Sequence, residues 1–269
     1  MRRPWGPTLG LVLACASAAF AQPAPAGTTS APASAIRHPE EGRPFIRRYA
    51  PAEVGGNTQV WAIVQDARGV IYAGANSGIL EFDGATWRRI KVGLSQTVRA
   101  LTLDRSGRIY VGSEGGGFGY LAPDAHGDSQ FVSLADQVPE ADRGFSVYRV
   151  FATEDGVFFQ AEEAIFRWTH EKMTTIRPVS RFSRASLIDG RIYLTMPESG
   201  LNVLEGETFR ALPGTERLRR EPFPVLLRYD ERRLLVGTRV GGLFLYDGAT
   251  LTPFHTPIDD LFKGSQVYR

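Results

Sequence analysis

The sequence predicts an all-β chain built from repeated four-stranded units, and three observations carry that prediction. The stretch QVWAIVQDARGVIYAGANSGILEFDGATWRRI, Gln59 to Ile90, divides into four short apolar runs separated by turn signals. Degenerate copies recur along the rest of the chain at steps of about 40 residues. No stretch shows a convincing 3.6-residue hydrophobic period, which helical repeats require. Four antiparallel strands per repeat of about 40 residues is the sequence form of a β-propeller blade.

In the first copy, VWAIV is apolar and ends at QDARG, a turn carrying Asp and Gly. VIYAG follows, rich in β-branched and aromatic residues, and ANSG makes the next turn. ILEF then meets Asp83-Gly84, a strong two-residue hairpin signal, and TWRRI is an outer strand of alternating polarity. Aligning the second residue of each first strand places Trp61, Arg99, Tyr148, Ser186, Leu226 and Tyr268 in register. The longest step, between Arg99 and Tyr148, carries the insertions PDAHGDSQ and DQVPEADRG. The predicted blades span 57–90, 95–134, 145–178, 182–213 and 222–254, and GSQVYR at 264–269 repeats the opening of a first strand.

The N-terminus reads as a secretion signal. Arg2 and Arg3 precede the short apolar run LGLVLACASAAF, and Ala19-Phe20-Ala21 is an A-x-A cleavage site before Gln22. A rival reading lipidates Cys15, which the bulky Leu13 opposes, and RRPWG lacks the follow-on pattern of a twin-arginine signal. Removing 1–21 takes away the only cysteine, and with it any disulfide, thiolate metal site or Cys nucleophile. It also brings acidic and basic residues into balance, which leaves no basic footprint for nucleic acid. Residues 22–42 are rich in Pro, Ala and Ser, bury too little to order themselves, and read as a disordered linker. The remaining 43–269 is long enough for one large all-β domain.

The run NTQVWAIVQDARGVIYAGANSGILEFDGATWRRI resembles the two-component regulator propeller repeat. The shared features are W-x-I, Q-D-x-x-G, I-Y-x-G, x-x-G-[IL] and F-D-G-x-x-W. GGFGYLAPDAHGDSQFVSLADQVPEADRGFSVYRV is similar to the second blade of such sensors, where G-Y-x-x-P-D precedes a long loop. The resemblance covers about 45–269. It is strong in copies one, two and five, whereas Gln160 and Thr195 replace the blade glycine in copies three and four. It implies a periplasmic sensor module that precedes a further β-domain, a membrane helix and a cytoplasmic output, often a histidine kinase or a diguanylate cyclase. None of those is legible in this chain.

Propellers close by pairing first and last strands within one blade. RPFIRRY, Arg43 to Tyr49, resembles TWRRI and reads as an outer strand awaiting the inner strands of that last blade. The expectation is five blades plus the first strand of a sixth: an incomplete ring, cut from a longer and seven-bladed parent. A natural five-bladed protein with a ragged tail is the alternative.

In a four-stranded blade, the loops joining strands two and three share a face with the links between blades, around the channel mouth. This places Asn76, Glu114, Glu162, Glu163, Glu198 and Arg239 there from the loops, and Gln59, Gln96, Arg143, Arg184 and Arg219 from the links. Mixed carboxylates, guanidiniums and amides suit a polar small molecule or a glycan, although any one of them also reads as ordinary solvated surface. Trp61, Trp87 and Trp168 are capable of stacking on sugars, but their strand positions favour packing between blades. The four histidines fall at unrelated spacings, so no metal is expected, and SEGGGFG joins two strands without opening a helix, so neither is a phosphate-binding cofactor. Nothing reads as a catalytic residue. A sensing propeller is therefore expected. The alternatives are a protein-binding scaffold and a secreted lactonase- or lyase-like enzyme, which would need metal ligands converging on the channel beside Glu114, Glu162 and Glu198. Mass spectrometry of the secreted chain should find Gln22 at its N-terminus; a lipid on Cys15 would refute the cleavage assignment.

Overall fold

A computed structural model describes residues 46–56, 59–93, 97–169, 171–180, 182–221, 224–239, 241–257 and 259. The chain divides into two units, Met1–Arg48 and Tyr49–Arg269. The secretion signal, the linker, Gln96 and the strand expected at 264–269 lie outside the described residues.

The second unit is five four-stranded antiparallel sheets in chain order, each a simple meander. Blade 1 holds β1 (Val60–Gln65), β2 (Ile71–Ala75), β3 (Gly78–Phe82) and β4 (Trp87–Ile90). Blade 2 holds β5 (Val98–Leu103), β6 (Ile109–Ser113), β7 (Phe118–Pro123) and β8 (Ser129–Ser133). Blade 3 holds β9 (Arg149–Thr153), β10 (Gly156–Gln160), β11 (Ile165–Trp168) and β12 (Met173–Ile176). Blade 4 holds β13 (Ser186–Ile188), β14 (Arg191–Met196), β15 (Gly200–Glu205) and β16 (Thr208–Ala211). Blade 5 holds β17 (Val225–Arg228), β18 (Leu234–Thr238), β19 (Gly242–Tyr246) and β20 (Leu251–Pro253). This is the propeller the repeat predicts. The outer strand expected at Arg43–Tyr49 is not formed at its described residues, 46–49. Tyr49 instead sets its ring edge-on to Phe82 and Trp87, at 5.2 and 5.3 Å.

Successive blades pack face to face, so the core is a series of inter-blade layers. Tyr72, Ile79 and Ile90 of blade 1 meet Val98, Val111 and Leu121 of blade 2. Tyr110 and Phe118 of blade 2 meet Phe159, Phe166 and Trp168 of blade 3, with Phe118 and Phe166 stacked at 5.3 Å. Phe158 and Ile165 meet Leu194 and Met196, and Ile188 and Leu201 meet Leu226, Val236 and Phe244. The two ends of this series differ. Val60 and Ile63 occupy the register positions that Val98 and Leu101 hold in blade 2. Val98 is fully buried, yet Val60 is 45% and Ile63 66% exposed, and Leu227 on blade 5 is 52% exposed.

Neighbouring blades approach closely at one position of each second strand. A Cβ on Gly74 would meet Val98 Cγ1 at 2.8 Å, and one on Gly112 would meet Val147 Cγ1 at 2.6 Å. Only hydrogen fits there, which is why these two blades carry glycine. Blades 3 and 4 replace it with Gln160 and Thr195, and the structure shows how the space is used. Gln160 Nε2 donates to the Ser183 carbonyl (2.9 Å) and its Oε1 accepts from the Ala185 N–H (2.7 Å). Thr195 Oγ1 donates to the Glu221 carbonyl (3.0 Å). A side chain bonded to the incoming link takes the place of a strand pressed onto glycine.

The turns joining strands one to two and three to four share the opposite face, and most open on an aspartate. Asp66, Asp83, Asp104, Asp124, Asp230 and Asp247 each accept two backbone N–H groups from their own turn. The N–H of Thr86, then that of Ala85, holds Asp83 below the usual carboxylate range, and Thr250 and Ala249 do the same for Asp247. These carboxylates stay ionised and shape the hairpins. The long insertion after blade 2 forms two short 3-10 turns, Ala135–Gln137 and Glu140–Asp142. It is anchored by buried Asp142, whose two oxygens accept from Arg177 at 2.7 and 2.6 Å.

Gln160→Ala should lower stability by about 2–3 kcal/mol in denaturant unfolding, because it orphans two buried backbone groups. Unchanged stability would show that the blade 3–blade 4 junction does not depend on this bridge.

Candidate ligand-binding face

The first strands of blades 1 and 2 begin with the same irregularity. Val60 pairs with Ala75 and Ala62 with Gly74, so Trp61 is the extra residue of a β-bulge; Arg99 holds the same place between Val98 and Ala100. A bulge leaves one residue outside the ladder and re-aims its side chain. Here both residues turn to the face that carries the loops between strands two and three. In blade 3, Tyr148 stands just before β9, with its N–H on the Gln160 carbonyl (2.9 Å).

Each of these three side chains meets the residue just beyond the second strand of its own blade. Trp61 Nε1 donates to Asn76 Oδ1 at 2.7 Å. Arg99 Nε donates to Glu114 Oε1 at 2.7 Å, and a second guanidinium nitrogen reaches the same oxygen. The Tyr148 hydroxyl donates to Glu162 Oε1 at 3.0 Å. The pairs also touch one another. The Arg99 guanidinium lies over the Trp61 ring, 3.7 Å from its centroid, and the Gly115 N–H next to Glu114 donates to Ser146 Oγ at 3.3 Å. Burial pushes the Tyr148 hydroxyl above its ordinary value; Ser146 offsets part of this, and Glu162 and Glu114 add to the rise. Tyr148 is therefore a neutral donor at any physiological pH. The result is a stripe across three blades of indole and amide, guanidinium and carboxylate, phenol and carboxylate. It offers donors, acceptors and one half-exposed aromatic ring, the equipment for a polar, hydroxyl-bearing ligand.

The structure brings Asn76, Glu114 and Glu162 into this stripe, and the Gln59 carbonyl accepts the Asn76 N–H at 3.2 Å. Glu198 lies farther along, accepting from the Ser180 hydroxyl. Arg143 turns to Asp136 of the insertion, at 3.5 Å. Glu163, Arg184 and Arg219 are exposed. Arg239 contributes its backbone N–H, which donates to Glu221 Oε2 at 2.9 Å. Glu221 itself is buried and its Oε1 has no hydrogen-bond partner. Packing between blades is the correct expectation for Trp168, which is 8% exposed. It fails for Trp61, which is 41% exposed because the bulge turns it out of the inter-blade layer. Arg99 and Tyr148 are not among the residues the sequence nominates, although both share Trp61's repeat position. That shared position, read together with the loop residue 14 or 15 places on, is the signal that finds them. Among the described residues no group of three or more His, Cys, Asp or Glu is placed to hold a metal, and no helix is long and apolar enough to cross a membrane.

No family model and no curated protein matches the sequence. Solved structures do match the fold. The extracellular domain described as that of a hybrid two component system, BT4673 from B. thetaiotaomicron, is 20% identical over 77% of this chain and 29% of its own, with a TM-score of 0.52. That of BT3049 from the same organism is 13% identical over 71% of this chain and 28% of its own, with a TM-score of 0.51. A catalytically inactive virginiamycin B lyase from Staphylococcus aureus is 14% identical over 74% of this chain and 71% of its own, with a TM-score of 0.53.

Trp61→Leu and Arg99→Ala, combined in a double-mutant cycle, should show a coupling of about 0.5–1 kcal/mol from the half-exposed cation–π pair. Additive effects in thermal unfolding would show the pair to be energetically idle. The chain thus shares its fold with propeller blades of two-component extracellular domains, while spanning under a third of their length.

Proposed function

We propose that this chain is the ligand-sensing propeller of a periplasmic signalling protein, reading a polar small molecule or glycan on the Trp61–Arg99–Tyr148 face. One observation carries the reading: three successive blades present, at one repeat position, a polar or aromatic side chain locked to its own loop residue. A repeat that served packing alone would place core residues there. The likeness to extracellular domains of two-component systems supports the signalling context, and the secretion signal supports the compartment. The exposed Val60 and Ile63 at one end and Leu227 at the other support further blades against both faces. A downstream β-domain and membrane span would then pass the signal to a kinase or cyclase output. The enzymatic reading draws on the lyase, a likeness of fold alone.

The test is intrinsic fluorescence of the chain titrated with a panel of neutral oligosaccharides and small polyols. A bound ligand should shift the emission of half-exposed Trp61. Glu114→Gln should weaken binding about tenfold, because it weakens a charge-assisted anchor for Arg99. A ligand that binds equally well to wild type, Glu114→Gln and, by calorimetry, Trp61→Ala would place recognition elsewhere.

A further inference from the structure

The face opposite the stripe carries a second candidate site, which rests on different residues. A groove of about 440 Å3 runs between the turns of blades 4 and 5. Five arginines line it: Arg191 and Arg210 from blade 4, and Arg228, Arg232 and Arg233 from blade 5. Tyr193, Leu212, Leu234 and Tyr246 supply the less polar part of its wall. Such density of guanidinium is unusual for a chain whose charges otherwise balance, and it separates this groove from the acidic turns elsewhere on the same face.

Three of the arginines are fixed by carboxylates. Arg210 is bidentate on Glu205, at 2.9 and 2.8 Å. Arg228 bonds Asp189 through Nε at 2.8 Å and donates to the Asp230 carbonyl, also at 2.8 Å. Arg233 Nε holds Asp230 at 2.7 Å. These contacts leave N–H groups on each guanidinium unengaged, since an arginine has five donors in a rigid fork. Arg191 and Arg232 make no direct ion pair among the described residues, although Arg191 acts on Glu205 through space, and both are exposed. The remaining carboxylate on the wall is Glu231, which acts on Arg228 through space. Fixed forks beside two that make no direct ion pair suit a ligand with several oxyanion groups, because each group takes two parallel N–H bonds while the fixed arginines lose little entropy on binding.

We propose that the groove between blades 4 and 5 binds a multivalent oxyanion, with Arg191 and Arg232 as its principal contacts and Arg210 and Arg228 as preorganised support. The shared chemistry is two or more phosphate, sulfate or carboxylate groups on one molecule. Inorganic tripolyphosphate and a short oligogalacturonate separate the sources: the first is compact, and the second adds sugar rings that the tyrosine and leucine wall covers.

The experiment is calorimetric titration of the full chain with each probe, at low salt and at physiological salt. Three proteins are compared: wild type, Arg191→Ala/Arg232→Ala, and a control with the same charge loss away from the groove, Lys91→Ala/Lys172→Ala. The groove variant should lose about tenfold or more in affinity for at least one probe, with a shallower salt dependence. The control should change less than about twofold. Arg99→Ala on the opposite face should leave tripolyphosphate binding unchanged, which separates this site from the proposed sensing face. Equal losses in groove variant and control would reduce the effect to general charge and overturn the proposal. So would the absence of binding to either probe by wild type. Arg191 and Arg232 lie at the surface, so an unaltered melting temperature is expected; Arg191→Gln/Arg232→Gln provides the same test should the alanine pair unfold.

Discussion

The approach of each blade's second strand to the first strand of the next is the contact on which the rest of this structure depends. It sets how closely blades stack, and so where every inter-blade layer lies. Two solutions coexist in one chain. In blades 1 and 2 a glycine lets a valine of the next blade sit on the bare backbone. In blades 3 and 4 a polar side chain spans the gap and bonds the incoming link. The first gains dispersion and apolar burial, and the second gains directed hydrogen bonds that fix the link's path. Both satisfy the same spacing, which explains why the repeat tolerates such different residues at so crowded a position.

That spacing also divides the molecule into two chemically distinct faces. On one, bulges in the first strands swing Trp61 and Arg99 outward, and the residues after the second strands meet them. On the other, aspartates cap their own hairpins and remain ionised, so carboxylates dominate the turns. Arginines enter that second face where neighbouring blades need cross-ties, as Arg105 does to Glu154 and Arg228 to Asp189. Between blades 4 and 5 they outnumber the ties required. Recognition chemistry on either face thus grows from a structural device, a bulge on one and a capped turn on the other.

The layered core gives each inner blade two neighbours and the first and fifth blades one. Repeat stacks of this kind distribute stability over their interfaces, so an exposed end costs locally without dissolving the remainder. The 3-10 turn Pro51–Val54 and Tyr49 cover part of blade 1's outer half, where Phe82 and Trp87 stack at 4.7 Å. They do not reach Val60 and Ile63 nearer the channel. The insertion after blade 2 shows the opposite economy: a long excursion held down by Leu134, Val138 and the buried Asp142 becomes part of the layer between blades 2 and 3.

By itself the sequence determined the strand order, the four-strand repeat and the turn chemistry. These follow from local rules: period-two apolar runs, Asp and Gly at fixed offsets, and recurrence at a constant step. It also determined which loops share the channel-mouth face, because alternation of turns in a meander leaves no choice. It did not determine which residues on that face meet. Trp61 reads as a packing residue on a strand, and only the bulge, a register shift of one residue caused by backbone pairing with β2, turns it to the rim beside Arg99. Gln160 reads as a departure from the repeat, and only the position of the blade 4 link shows that its amide replaces a glycine contact. The five arginines of the second groove lie up to 42 positions apart in the sequence and belong to two blades, so no local pattern joins them. Pairing register and blade stacking are long-range outcomes of burial, and the sites are assembled by them.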